Sequence, residues 1–156
     1  MSEQDENWMW RAIHIARDAV KIGEVPVGAI VVDAMGRILA TASNRTITDN
    51  DPTAHAEILA LRTAALRMKN YRLTGATVYT TIEPCAMCAG ALVNARIAKL
   101  VFGAHDERFG AVETLFQICN TTELNHQIEI KSGVLAKECR ALMQEFFKAR
   151  RKAANQ

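Results

Sequence analysis

Hydrophobic residues in the first part of the chain recur every three or four positions, which is the spacing of one face of a helix. The apolar positions between residues 7 and 22 are Trp8, Met9, Ala12, Ile13, Ala16, Ala19 and Val20. Gly23 follows them directly, and glycine is common where a helix ends. The pattern therefore predicts an amphipathic helix over residues 7–22 that buries its apolar face.

The next apolar run is continuous instead of periodic. Residues 27–32 read Val-Gly-Ala-Ile-Val-Val, and an unbroken run of this length is typical of a strand buried on both faces. Residues 33–36 have the composition of a turn, and residues 37–42 can return beside the first strand. These segments together predict a β-hairpin.

The remainder of the chain alternates between strand and helix patterns. We expect further strands at residues 76–81, 99–102 and 127–130, and helices at residues 51–68, 83–95, 111–118 and 135–152. Gly103 is expected to end the second of these strands. The alternation predicts an α/β sandwich whose sheet is mostly parallel, with one antiparallel neighbour from the hairpin. Because no linker or repeat interrupts the pattern, we expect residues 1–156 to form a single domain.

The composition excludes few classes of protein. The 156 residues are 49% hydrophobic and 23% charged, which is ordinary for a globular protein. No apolar run reaches the roughly 18 residues that a membrane-spanning helix needs. The first six residues are mostly acidic or polar and do not resemble a signal peptide. We therefore expect a cytoplasmic protein without a membrane segment.

The four cysteines fall into two groups. Cys85 and Cys88 have the spacing of metal ligands, and the chain carries no secretion signal. Reduced thiols are therefore expected instead of disulfides. Cys119 and Cys139 lie in apolar helical contexts and are interpreted as small buried hydrophobic residues.

Candidate metal chemistry lies in two short motifs, His55-Ala56-Glu57 and Pro84-Cys85-Ala86-Met87-Cys88. Two cysteines three residues apart share one face of a helix, and a cysteine near a helix start is favoured as the thiolate. Zinc with only three protein ligands keeps a fourth position for water, which is the catalytic arrangement. The carboxylate of Glu57 is not needed as a ligand and can take a proton from that water.

The helical positions of His55 and Glu57 constrain the geometry. They are about 200° apart around a helix, so they cannot lie on one stripe, but both can flank an ion beyond the helix end. We therefore hypothesise that two helix starts converge on the metal. A closed structural zinc site stays open as an alternative and needs a fourth ligand from Cys119, Cys139 or another histidine. His14, His105 and His126 lack ligand-like spacing and are expected to be structural or surface residues.

The two motifs resemble the signature of the zinc-dependent nucleoside and nucleobase deaminases. Within the cytidine and deoxycytidylate deaminase superfamily, the chain is more similar to the bacterial tRNA-specific adenosine deaminases. The similar stretches are residues 23–29, 43–45, 51–57, 71–73, 81–91, 101–104, 125–126 and 146–147. The similarity extends from about Trp8 to Arg151, nearly the whole chain.

This resemblance implies a fold, a reaction and a partner. The fold would be a cytidine-deaminase-like three-layer α/β/α sandwich around a five-stranded mixed sheet. The reaction would be the hydrolysis of adenosine to inosine at the wobble position of a tRNA anticodon stem-loop. The protein would work as a homodimer with its active sites near the interface.

The resemblance also implies roles for single residues. His55, Cys85 and Cys88 would hold Zn²⁺, and Glu57 would be the catalytic residue that moves protons between water, ring nitrogen and leaving amine. The implied substrate-binding residues are Val27 and Ile82 at the base pocket, Asn44 as a hydrogen-bond partner of the flipped base, and Asp106 at the neighbouring nucleotide. Without the resemblance, Val27 would pass for a core residue and Asn44 and Asp106 for turn residues.

Two alternative functions share these motifs. The first is a deaminase of free cytosine, guanine or cytidine, which would use the same metal ligands. The second is a zinc-stabilised RNA-binding module without catalysis. A net charge of +2 predicts few phosphate contacts. The basic cluster Lys148, Arg150, Arg151 and Lys152 could contact phosphate or could complement the dipole of its own helix.

Overall fold

The computed structural model describes residues 2–155, which form four helices and five strands. In chain order these elements are α1 (Glu3–Lys21), β1 (Gly28–Val32), β2 (Ile38–Ser43), α2 (Ala56–Met68), β3 (Thr77–Ile82), α3 (Ala86–Asn94), β4 (Lys99–Ala104), β5 (Glu129–Lys131) and α4 (Ala136–Ala154). None of these helices combines the length and the apolar run that a bilayer crossing requires.

The five strands form one mixed sheet in the order β2-β1-β3-β4-β5. Strand β1 runs antiparallel to both β2 and β3, whereas β3, β4 and β5 run parallel to one another. The prediction of a mixed sheet is confirmed, but the prediction of a mostly parallel sheet with one antiparallel neighbour is wrong. Every residue of β1 is buried, as its apolar run predicts for an inner strand. Burial alone does not determine whether the neighbouring strands run parallel or antiparallel to β1.

The helices lie on both faces of the sheet and give the expected three layers. Alternate residues of β1 point to opposite sides: Ala29 and Val31 pack with α2 and α3, and Ile30 and Val32 pack with α1 and α4. Because both faces of the central strands are covered by helices, the hydrophobic core has two parts separated by the sheet.

Three helices begin at residues other than those expected, two of them because of a polar contact. Helix α1 starts earlier, since the Ser2 hydroxyl accepts a hydrogen bond from the Asp5 backbone N–H at 3.0 Å. Helix α2 starts later because the Asp51 carboxylate holds Thr53 in a turn. Helix α3 also starts later, with Cys85 as its N-cap and Pro84 outside the helix.

Two further expectations are wrong for reasons of long-range contact. Residues 111–118 form turns instead of a helix, because their backbone N–H groups bond to the distant carboxylate of Glu83. Strand β4 continues through Gly103 to Ala104. Gly103 is needed there for space, because a side chain at this position would collide with Cys139 and with the carbonyl oxygen of Thr81.

A buried carboxylate ties the first helix to the sheet. Asp5 accepts hydrogen bonds from the Tyr79 hydroxyl at 2.9 Å and from the Lys131 ammonium at 2.7 Å, and the Lys99 ammonium lies 3.6 Å away. Burial opposes ionisation of Asp5, but the hydrogen bonds from Lys131 and Tyr79 outweigh it and lower its pKa to about 2. This network joins α1 to β3, β4 and β5.

Replacement of the charged group, Asp5→Asn, should lower the free energy of unfolding by about 2 kcal/mol at neutral pH, the value of a hydrogen bond to a charged group. The pKa of Asp5 is lower in the folded protein, so its contribution is present above about pH 4 and is lost as the pH falls toward 2. Urea unfolding followed by circular dichroism should therefore show a smaller difference from wild type near pH 3 than near pH 7. A difference that does not change with pH would contradict this role.

Candidate active site

The N-terminal ends of two helices meet on one side of the sheet. His55 is the N-cap residue of α2, Cys85 is the N-cap residue of α3, and Cys88 lies in the first turn of α3. The Nδ1 atom of His55 is 3.5 Å from the Sγ atom of Cys85 and 3.4 Å from that of Cys88. The structure thus brings the three predicted ligands together by the convergence of helix starts that the sequence led us to expect.

These three residues could hold a metal ion. Their ligand atoms all lie within 4.8 Å of one another, and no fourth His, Cys, Asp or Glu joins the group within residues 2–155. One imidazole with two thiols is a donor set that suits zinc. The hydrogen bond from Cys88 lowers the pKa of the Cys85 thiol to about 4, so at least one thiolate is favoured even without a cation.

The other two cysteines lie away from this group. Cys119 and Cys139 are both buried, as expected for small hydrophobic residues. The Cys119 sulfur lies 3.8 Å from the carbonyl oxygen of Ala89, and Cys139 packs behind Gly103. Neither cysteine can therefore supply the fourth ligand that a closed structural site requires.

Glu57 lies beside the group without belonging to it. Its side chain is almost fully buried and lines the same cleft as His55 and Cys85. Burial raises the pKa of its carboxyl group to about 7. A carboxyl group that titrates near neutral pH can both accept and release a proton, which general acid–base chemistry requires.

A cleft of about 730 Å³ opens in front of these residues. The predicted site residues that line it are Val27, Asn44, His55, Glu57, Ile82, Cys85 and Asp106. The remaining one, Cys88, is fully buried beneath the cleft floor. Residues assigned to metal, catalysis and substrate are therefore gathered around a single space.

Asn44 and Asp106 also have local structural roles. The Asn44 Oδ1 atom accepts a hydrogen bond from the Ala56 backbone N–H at 2.7 Å and so caps α2, since the His55 side chain makes no capping bond. The Asp106 Oδ1 atom accepts hydrogen bonds from the backbone N–H groups of Arg108 and Phe109. Each side chain keeps a second polar atom for a ligand, so the turn interpretation and the binding interpretation are compatible.

Two buried glutamates that the sequence analysis did not single out hold the loops around the cleft. Glu24 is fully buried and accepts hydrogen bonds from the Thr48 N–H at 2.7 Å, the Thr48 hydroxyl at 2.6 Å and the Ile47 N–H at 3.3 Å. Burial opposes ionisation, but the hydrogen bonds from Thr48 and Ile47 outweigh it and keep the pKa of Glu24 below its ordinary value. Glu24 therefore fixes the segment between Asn44 and His55.

Glu83 acts in the same way on the loop after β4. It accepts hydrogen bonds from the backbone N–H groups of Asp106, Val112, Glu113 and Thr114, and from the Thr114 hydroxyl. Burial opposes ionisation, but the bonds from Thr114 and Glu113 keep the pKa of Glu83 below its ordinary value. The available signal was a carboxylate at the end of a buried strand, where a charge needs several partners.

The outer wall of the cleft comes from α4 and from the loop after β4. The wall residues to which the sequence analysis assigned no role in binding are His105, Glu107, Arg108, Phe109, Arg140, Met143, Gln144 and Phe147. His105 was expected to be structural or at the surface; it lines the cleft and pairs with Glu113 at 2.9 Å. Exposed aromatic rings next to arginines are typical of surfaces that bind unpaired nucleotides.

Known proteins resemble this chain along nearly its full length. The family model for MafB19-like deaminases matches residues 3–151. A tRNA-specific adenosine deaminase of Haemophilus influenzae is 47% identical over 150 residues, which cover 96% of this chain and 87% of the relative.

Two solved structures share the fold. A chain from studies of A-to-I editing by tRNA:A34 deaminases at the wobble position of transfer RNA superposes with a TM-score of 0.83 at 40% identity, covering 87% of this chain and 98% of that one. A guanine deaminase from Bacillus subtilis superposes with a TM-score of 0.64 at 32% identity, covering 80% and 88%. By its identity to these relatives over most of its length, the chain belongs to the tRNA-specific adenosine deaminase family.

Proposed function

We propose that this protein is a zinc-dependent deaminase that converts adenosine to inosine at the wobble position of a tRNA anticodon stem-loop in the cytoplasm. The observation that carries the proposal is a group of three potential metal ligands in a cleft, with a buried glutamate beside them that is not itself a ligand. The names of the relatives supply the substrate class.

His55, Cys85 and Cys88 are the proposed zinc ligands. Zinc held there would supply the acidity that makes water a nucleophile at neutral pH. Glu57 would take one proton from that water on a carboxylate oxygen and deliver it to N1 of the adenine ring. It would then take the remaining proton of the hydroxyl added to the ring carbon and pass it to the departing amino group. The balance is adenosine plus water giving inosine plus ammonia.

The proposed substrate contacts follow from the shape of the cleft. Val27 and Ile82 contribute apolar side chains to the cleft that Glu57 also lines, where a planar base could be enclosed. Asn44 uses its Oδ1 atom for the helix cap, so its amide N–H groups are the atoms available to the base. Asp106 also lines the cleft, where a neighbouring nucleotide could be contacted.

An anticodon loop suits this arrangement physically. The amino-bearing carbon of adenine cannot be reached inside a stacked duplex, so the base must be splayed out of the strand. Loop nucleotides are splayed at low cost and can stack on aromatic side chains. Phe109 and Phe147 are exposed at the cleft, with Arg108 and Arg140 beside them.

A homodimer is also proposed, with α3 near the interface. Ala86 is exposed, and Gly90 and Ala91 are half-buried on the outer side of this helix. A side chain at Gly90 would meet no other atom of the chain within 4 Å. Small residues of this kind allow the close approach of a second subunit.

The function is tested by comparing substrates. Purified protein should form inosine from an anticodon stem-loop with adenosine at the wobble position. A deaminase of free bases would instead release ammonia from cytosine, guanine or cytidine, and the similar guanine deaminase shows that the fold also serves that chemistry. A faster reaction with any of these small molecules than with the stem-loop would reject the proposal.

The carboxyl group of Glu57 can be tested without removing the metal ligands. Glu57→Gln keeps the size of the side chain but cannot exchange the proton, so kcat for inosine formation should fall about a thousandfold. Zinc content and thermal stability should stay near those of wild type. Glu129→Gln, at an exposed position on β5, is the matched control and should leave kcat unchanged. If the protein were an RNA-binding module without catalysis, Glu57→Gln and Glu129→Gln would both leave its function unchanged.

The basic end of α4 is proposed to contact phosphate. Arg151 follows Phe147 by one helical turn, and Lys148 follows Gln144 by one turn, so both continue the stripe that lines the cleft. Arg150 is a weaker candidate for a phosphate contact, because its guanidinium already has partners within the chain. It lies 4.8 Å from the Phe146 ring and donates to the Gly23 carbonyl oxygen.

Removal of these two charges should change the salt dependence of RNA binding. In Lys148→Gln/Arg151→Gln, the slope of log affinity against log salt should become shallower by roughly 0.7 for each phosphate that the variant no longer neutralises. Arg37→Gln/Lys69→Gln removes the same charge at two exposed positions that do not line the cleft, in the turn after β1 and at the end of α2, and should keep the wild-type slope. Equal slopes for all three proteins, measured by fluorescence anisotropy with a labelled stem-loop, would show that α4 does not contact phosphate.

A further inference from the structure

A single carboxylate connects the ligand-bearing end of α3 to the loop after β4. Glu83 precedes Cys85 by two residues and is 2% exposed. Its Oε1 atom accepts from the Asp106 N–H at 3.1 Å and from the Thr114 hydroxyl. Its Oε2 atom accepts from three successive N–H groups at 3.1, 2.8 and 2.9 Å, those of Val112, Glu113 and Thr114. The carboxylate therefore holds both ends of the segment 106–114.

That segment forms one wall of the cleft. Residues 105–109 line the same cleft as His55 and Glu57. The backbone of Glu83 belongs to the connection between β3 and α3, which carries Cys85. The Glu83 side chain and its five hydrogen bonds therefore help to set the distance from the metal-ligand group to this wall, together with the backbone hydrogen bonds from the Glu83 N–H to the Ala104 oxygen at 2.8 Å and from the Ala111 N–H to the Pro84 oxygen at 2.9 Å.

The loop is shaped to fit that carboxylate. A side chain at Gly110 would collide with the Glu83 carboxylate and with the carbonyl oxygen of Asp106. The Gly110 N–H itself donates to that same carbonyl oxygen at 2.9 Å. Absence of a side chain at Gly110 lets the backbone close over Glu83, as glycine does where a chain must approach another group closely.

We propose that Glu83 is a positioning residue, which fixes the wall of residues 105–109 relative to the metal-ligand group and thereby governs the binding of nucleotides that flank the reacting adenosine. The inference rests on the proposed function. Arg108 and Phe109 are the residues of this wall that offer a cation and an exposed ring to RNA. Glu83 also borders the cleft, but both of its carboxylate oxygens are engaged by donors of the loop, so it acts through the loop.

The substitution Glu83→Gln tests the contact between the Glu83 carboxylate and the Asp106 N–H. A glutamine can still accept the three N–H groups of residues 112–114 through its carbonyl oxygen. Its NH₂ group then faces the Asp106 N–H, so an attractive contact becomes a contact between two donors. The Asp106 end of the wall is released, and the metal ligands are unchanged.

The expected result is a selective loss of substrate binding. For the anticodon stem-loop, KM should rise about tenfold, the factor that one hydrogen bond to a charged group is worth. The change in kcat should stay below about threefold, because Glu57 and the ligands are intact. Zinc content should equal that of wild type, and amide hydrogen exchange of Asp106 should accelerate.

A control separates positioning from general stability. Asp5→Asn also removes a buried, hydrogen-bonded carboxylate, but on the opposite face of the sheet. It should lower thermal stability and leave KM unchanged. If Asp5→Asn raises KM as much as Glu83→Gln does, or if KM in Glu83→Gln stays within about twofold of wild type, the positioning role is rejected.

A second variant approaches the same contact from the loop. Gly110→Ala pushes the loop away from Glu83 while the carboxylate remains, and it should reproduce the rise in KM. It also carries the test if Glu83→Gln does not fold, and an unchanged KM in Gly110→Ala would then overturn the inference. Wild-type protein that forms no inosine from the stem-loop would reject the proposed function instead, and exchange at Asp106 would still test the positioning role.

Discussion

The approach of the His55 imidazole to the Cys85 and Cys88 sulfurs is the contact on which the rest of the site depends. These residues come from two helices that start on the same side of the sheet and contact each other. The helices can approach closely because their buried positions are small, with Ala56, Ala60, Ala64 and Ala89 all fully buried. The convergence of two helix starts gives an open group of three ligands without a fourth protein donor in the described residues.

The loops around this group are fixed by buried charges in addition to apolar packing. Glu24 holds the segment that carries Asn44 and His55, and Glu83 holds the segment that carries Asp106. A buried carboxylate is costly unless several donors satisfy it, so each glutamate strongly favours one loop conformation. Loops alone would be mobile, and these two carboxylates give the cleft the rigid walls that recognition of a substrate requires.

The sequence predicted the parts of the molecule that depend on local patterns. The helices and strands outside residues 111–118 follow from periodicity, and the motifs around His55 and Cys85 predicted the ligand group. The missed features depend on contacts between distant residues. The direction of β1 beside β3, the turns in residues 111–118 and the contribution of α4 to the cleft are all set by the tertiary fold. A glutamate at the end of a buried strand indicates that its charge needs partners, but the identity of its five donors is set by the tertiary fold.

X-ray absorption at the zinc edge of purified, active protein tests the central claim most directly. We predict one zinc ion per chain with two sulfur neighbours and two lighter neighbours, one from the His55 imidazole and one from solvent. Exchange of the solvent ligand for a competing anion should change the lighter shell and leave the sulfur shell intact. A third sulfur, a second protein nitrogen in place of solvent, or active protein without stoichiometric zinc would contradict the claim.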